Sequence, residues 1–188
     1  MRTFRAISLA GLLIFLFAAT AQADNLFGEF KRVPDDIERG FYVGGDFGLN
    51  FFTGNKRSAQ NPGFQLSFTT GYDFWKYVSV EGIYILGLHE ASPVDLGGGV
   101  NTFTIAMAVK GELPLGRFHP FFEVGPGFHY SNPEFFPGQN LKLAIVFGGG
   151  FEYYTYLRHY SLYLKALYSY IDLPIDALSI AAGIKYTF

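Results

Sequence analysis

The chain has 188 residues, of which 49% are hydrophobic, 19% aromatic and 16% charged, with 23 glycines and a net charge near −2. That length suits one domain, and the charge balance offers no basic stripe for nucleic acid. The absence of cysteine excludes disulfides, thiolate metal sites and a lipid-modified N-terminal cysteine.

The first segment, "MRTFR", carries Arg2 and Arg5, and "AISLAGLLIFLFAA" behind it is uncharged and apolar. Ala21 and Ala23 then flank Gln22 at the small-residue positions of a cleavage site. This layout predicts a secretory signal peptide over residues 1–23, cut before Asp24; the apolar run is short for a membrane-spanning anchor. Residues 24–39, "DNLFGEFKRVPDDIER", are charged, contain one proline and show no period, so they are read as a periplasmic lead-in.

From residue 40 onward the pattern has period two, the strand signature, in eight successive runs. In the first, Phe41, Val43, Phe47, Leu49 and Phe51 oppose Tyr42, Gly44, Asp46, Gly48 and Asn50. Later runs set Phe64, Leu66 and Phe68 against Gln65, Ser67 and Thr69, and Tyr84, Leu86 and Leu88 against Ile83, Ile85 and Gly87. They continue with Ile105 and Met107 against Ala106 and Lys110, then Val124 and Phe128 against Glu123 and His129. The last three set Phe147 and Phe151 against Gly148 and Glu152, Leu162 and Leu164 against Tyr163 and Lys165, and Ile180 and Ile184 against Ala181 and Lys185. Ten-residue connectors rich in turn formers ("TGNKRSAQNP", "EASPVDLGGG", "SNPEFFPGQN") and the shorter "DLPID" alternate with tight reversals at "FWKY", "LPLGRF" and "YTYLRH". Short turns at one end and longer loops at the other are how an outer-membrane barrel is threaded. The expected fold is all-β: an eight-stranded antiparallel up-and-down transmembrane β-barrel over residues 40–188.

Volume decides which face is inside. Eight strands enclose only packed side chains or one small ligand, and the Phe, Tyr, Leu and Ile face is too bulky for that space. The opposite face is rich in Gly, Ala, Ser and Thr and carries the charges, each of which would cost several kcal/mol in hydrocarbon. The aromatic face is therefore assigned to outer-membrane lipid. Phe74, Trp75, Tyr77, Phe118, Tyr153, Tyr156 and Tyr186 pool near the tight turns, and Phe51, Phe52, Phe64, Tyr130, Phe135 and Phe136 near the long loops, as interface girdles.

The inward charges are the candidate site: Asp46, Glu81, Lys110, Glu112, Glu123, Glu152, Lys165 and Lys185, with Asp73 beside them. In a narrow interior they must pair, and they are read as an ion-pair network that closes the lumen; a gate or proton path is the functional alternative. Acids outnumber lysines on this face, so some must reach water, Arg117, Arg158 or a histidine. His89 and His129 point inward near the loop end, but His89, His119, His129 and His159 form no metal-ligand spacing. His129 with Ser131, or His89 with Ser92, carries no distinctive catalytic motif, so neither a catalytic residue nor a cofactor is expected. Gly148–Gly150 falls in mid-strand without phosphate-loop context, where relief of crowding explains it.

"GFYVGGDFGLNF", "GYDFWKYVSVEGIY" and "GIKYTF" resemble the first strand, first hairpin and C-terminal insertion signal of the small OmpA-like outer-membrane barrels. The resemblance implies the outer membrane of a Gram-negative bacterium, with Tyr186 and Phe188 read by the barrel-assembly machinery. More narrowly, "RVPDDIERGFYVG" and "FEYYTYLRHYSL" resemble barrel proteins associated with adventurous gliding motility. That likeness implies a component of a trans-envelope motility machine, with envelope partners meeting the lead-in or the loops. A structural or docking role is thus the leading expectation; a narrow pore or carrier for small or apolar solutes is the alternative, and a lipid-modifying enzyme is third.

Overall fold

The computed structural model describes residues 37–54, 62–89, 99–132, 141–157, 159–171 and 175–188. They form eight strands: β1 (Phe41–Gly54), β2 (Gly63–Trp75), β3 (Val78–His89), β4 (Val100–Glu112), β5 (Phe118–Asn132), β6 (Leu141–Tyr154), β7 (Tyr160–Ile171) and β8 (Ile175–Thr187). Each pairs antiparallel with its neighbours in sequence, and β8 returns to β1 to close the barrel. Strands of 12–15 residues exceed what a tilted strand needs to cross hydrocarbon, and closure leaves no unpaired edge facing lipid. The eight-stranded antiparallel expectation holds.

The turns at the β1 N-terminal end are short because their residues suit reversal. Lys76 and Tyr77 alone link β2 to β3, with a register shift between Asp73 and Trp75. Between β4 and β5, Leu115 and Phe118 exchange backbone bonds of 3.0 and 3.2 Å around Gly116 and Arg117. Gly116 has φ +66° and no other residue type does so, which is the glycine-first arrangement of a type II′ turn. Arg117 then donates to Thr155 O at 2.6 Å, tying this turn to the next one.

The polarity of the fold is inverted relative to a water-soluble barrel. Phe47, Met107, Leu143 and Leu164 stand on the outer surface at 63%, 66%, 68% and 53% exposure. Six carboxylates, Lys110, Lys165 and Lys185, and many small polar residues are buried inside. Phe74, Trp75, Phe118, Tyr153 and Tyr156 ring the outside at the short-turn end, and Phe64 and Tyr130 lie outside at the other. Phe52 departs from the expected girdle: it is buried and stacks on His89 with ring centroids 4.2 Å apart. Its parity matches Asn50 and Gly48, so the strand period turns it inward regardless of its aromatic character. Phe135, Phe136, residues 1–36 and most of the longer connectors lie outside the described residues.

Candidate functional site

The lumen is stacked in three layers. Nearest the short turns is a charged layer, in the middle an apolar one, and toward the loops a layer of amides, hydroxyls and imidazoles.

In the charged layer Lys110 from β4 is a hub. Its Nζ donates to Glu152 Oε2 at 2.6 Å and forms ion pairs with Glu112 at 2.8 Å and Glu81 at 3.5 Å. The same ammonium lies 4.4 Å from the centroid of the inward Phe121 ring. Glu152 is the matching acidic hub: Lys185 Nζ approaches its Oε1 at 2.5 Å, and the Ser161 hydroxyl donates to that oxygen at 2.5 Å. Lys185 also donates to the Tyr154 hydroxyl at 3.1 Å and sits over the Tyr42 ring. Asp46 and Lys165 form a separate pair at 2.8 Å, joined by the Tyr163 hydroxyl, which donates to Asp46 Oδ2 at 2.9 Å. Such charge-assisted bonds are short and strong, and in a low-dielectric interior they are what makes burying these ions tolerable.

Aromatic hydroxyls and a histidine complete the layer. Tyr42 donates to Glu81 Oε1 at 2.7 Å, and Tyr154 reaches Glu112 at 3.4 Å. His119, fully buried, contacts Glu112 Oε2 through Nδ1 and the Gly116 carbonyl through Nε2, both at 3.1 Å. Ser79 donates to Asp73 at 2.7 Å.

Glycines opposite the tyrosines make this crowding possible. Tyr42 pairs with Gly71 across the β1–β2 ladder, and a Cβ there would strike its ring. Tyr163 pairs with Gly183 across β7–β8, where a Cβ would come within 2.6 Å of the ring. At Gly148 and Gly150 a Cβ would collide with the β7 backbone at Ala166 and Leu164.

Above the charges, Ile83, Ile85, Ala106, Ala108, Val146 and Leu167 form a buried apolar cluster contributed by β3, β4, β6 and β7. Beyond it lie Asn50, Gln65, Thr102, Thr104, His89 and His129, all buried. His129 Nδ1 is 2.8 Å from Thr104 Oγ1. Ser131 is buried one rung further on, and Ser92 lies outside the described residues. Among the described residues no three His, Asp or Glu side chains form a metal-binding group.

All eight candidate residues face the lumen, but their partnerships were not readable beforehand. Asp46 and Lys165 stand apart from the Lys110–Glu152 hub, and Glu123 lies against the Glu81 carboxyl on the wall of a small cavity. His119 and Tyr154 were missed as members. Their parity with Phe121 and with Glu152 was the available signal. Tyr42 and Tyr163 were placed on the inward face but given no role. Ile83 and Ile85, set on the inner face by their parity, join Val146 and Leu167 in one apolar layer.

Residues 9–188 match the outer membrane protein beta-barrel domain family. No curated protein matches the chain in sequence. Among solved structures it is similar to the Neisserial surface protein A, at 13% identity and TM-score 0.65 over 79% of this chain and 97% of that one. It is also similar to Ail, the attachment invasion locus protein of Yersinia pestis, at 13% identity and TM-score 0.58 over 80% of this chain and 100% of that one. A third likeness is to the N-terminal β-barrel domain of Pseudomonas aeruginosa OprF, at 10% identity and TM-score 0.54 over 79% and 98% of the two chains. At these identities the likeness is one of fold. With a closed eight-stranded barrel, an apolar exterior and a polar, ion-paired interior, the chain belongs to the outer membrane protein beta-barrel domain family.

Proposed function

We propose that this outer-membrane barrel is a non-conducting, non-enzymatic component of the cell envelope that acts as a structural or docking element. The observation that carries the reading is the double obstruction of its lumen. An ion-paired layer centred on Lys110 and Glu152 is followed by the apolar layer of Ile83, Ile85, Val146 and Leu167. An ion crossing the first layer would have to displace short buried pairs, and in the second it would meet bulky aliphatic side chains beside only a few hydroxyls, those of Ser67, Thr69, Ser169 and Ser179. A non-enzymatic role is supported by His129, whose described ring partner is the Thr104 hydroxyl, without the acid that would orient it as a base.

The proposal includes cleavage of residues 1–23, and reading of Tyr186 and Phe188 by the barrel-assembly machinery. It also includes envelope partners that engage the lead-in at 24–39 or the loops. Membership of a gliding-motility complex is its narrowest form and rests on the sequence resemblance of "RVPDDIERGFYVG" and "FEYYTYLRHYSL". Single-channel recording on pure protein tests the closed lumen. No steady conductance is expected, whereas one that shifts in Glu81→Gln or Lys185→Met would establish the narrow-pore alternative. Unchanged lipid profiles after incubation with the barrel are expected, and a new lipid product would establish an enzyme. Crosslinking in cells at the lead-in and loops then identifies what docks.

A further inference from the structure

Glu81 on β3 pairs with Ala108 of β4, and Glu123 on β5 pairs with Lys110, the next inward position of that strand. Both carboxyl groups are buried, at 4% and 1% exposure, and both lie on the wall of one cavity of about 20 Å³. There they hydrogen-bond to each other. An ionised carboxylate only accepts, so a bond between two carboxyl groups needs a proton on one of them.

The charges around the pair leave room for that proton. Lys110 serves Glu152 at 2.6 Å and Glu112 at 2.8 Å, with Glu81 further off at 3.5 Å. Lys165, which acts electrostatically on Glu123, also holds Asp46 at 2.8 Å, and Lys185 is committed to Glu152. Tyr42 donates to Glu81 at 2.7 Å, and Tyr163, on the same wall, donates to Asp46 at 2.9 Å. Among the described residues the lumen buries six carboxylates (Asp46, Asp73, Glu81, Glu112, Glu123 and Glu152), against Lys110, Lys165, Lys185 and His119 in the charged layer. The acids stay in excess even with His119 charged. Two ionised carboxylates in contact repel strongly at low dielectric, so one shared proton is the state this surplus favours.

We propose that Glu81 and Glu123 share one proton and that the pair is a pH-sensitive lock on the charged layer. The proton belongs to the pair rather than to either residue. At neutral pH the folded barrel thereby carries one proton that the unfolded chain releases. Its loss to bulk water sets two negative charges against each other beside Lys110 and Lys165, and the layer loosens. The lock concerns the balance of charge within the barrel and holds whether or not the barrel has a docking role.

Infrared spectroscopy of the chain refolded in neutral detergent in heavy water tests the proton directly. The carbonyl stretch of a protonated carboxylic acid is expected near neutrality in the folded wild type and not in urea. Glu123→Gln and Glu81→Gln each put an amide N–H where the shared proton stood, so each removes the band and keeps the shape. Urea midpoints across pH give a second readout. Above about pH 5.5 unfolded glutamates are ionised, and a proton held only by the folded state raises the unfolding constant about tenfold per pH unit. The ratio of the wild-type constant to that of Glu123→Gln is therefore expected to rise by that factor. If Glu123→Gln fails to fold, Glu81→Gln and the wild-type band decide. A wild type without the band would overturn the proposal, as would a ratio that ignores pH. A band that survives both substitutions would also overturn it, by assigning the proton to another carboxyl such as Asp73.

Discussion

Lys110 and Glu152 are joined by a 2.6 Å hydrogen bond although neither is the other's partner in any ladder. Lys110 pairs across β4–β5 with Glu123, and Glu123 pairs across β5–β6 with Gly148, four residues along β6 from Glu152. The lysine side chain therefore runs toward the turns and past β5 to meet its acid.

Because that ammonium also serves Glu81 and Glu112, Lys110→Met strands three carboxylates at once. Breaking a buried pair from one side costs about 3–5 kcal/mol, and a loss at the upper end is expected from urea midpoints in detergent. Adding Glu152→Gln to Lys110→Met should cost much less than Glu152→Gln alone, since the acid has by then lost one of its two lysines.

The pairing of Tyr42 with Gly71 predicts a steric dependence. Gly71→Ala pushes a methyl into the Tyr42 ring and should destabilise the barrel by about 1–3 kcal/mol. In a Tyr42→Ala background the same change should be nearly neutral. Equal costs in the two backgrounds, read from unfolding midpoints, would show that the ring is not what the glycine accommodates.

Met107 marks the depth of the membrane. It is exposed in the middle of β4, so Met107→Arg puts a charge near the hydrocarbon midplane at a cost of about 2–4 kcal/mol. Asn101, outward at the loop end of the same strand, should accept arginine for about 0–1 kcal/mol. Unfolding from lipid vesicles measures both, and equal costs would move the lipid band away from mid-strand.

Phe188 donates its backbone N–H to Phe41 O at 2.9 Å, and its ring contacts those of Phe41 and Tyr186. Deleting it removes a seam bond, an aromatic contact and the residue proposed as the assembly signal. Reduced heat-modifiable barrel in membranes is expected. Phe188→Ala keeps the backbone bond, so a comparable defect in that variant isolates the role of the ring. Normal yields of both would assign insertion to another segment.

The fold was legible because period two is a local property. Once Phe47 and Leu49 were assigned to lipid, Asp46 and Gly48 had to face inward, and the same step repeats along every strand. Cross-lumen partnership is not local. It depends on strand tilt and on how far each side chain climbs, so nothing near Lys110 announces Glu152, and nothing near Glu123 announces Glu81. Residue type misled where parity did not: Phe52 looked like a girdle residue but follows Asn50 into the lumen. The apolar layer escaped notice for a related reason. Ile83, Ile85, Val146 and Leu167 come from three strands and form a layer only after the barrel closes.

Closure itself has a kinetic consequence. The β1–β8 ladder runs from Tyr42 paired with Thr187 to Gly54 paired with Ile175, joining segments near opposite ends of the described chain. Contacts this distant in sequence form slowly, because the loss of chain entropy precedes the bonds that offset it. Until they form, β1 and β8 would each present a row of unbonded amides to hydrocarbon, where water cannot satisfy them. Partial barrels therefore have no resting place in the bilayer. Insertion and seam zipping must proceed as one event, and β1 has to be kept from other edges until β8 arrives.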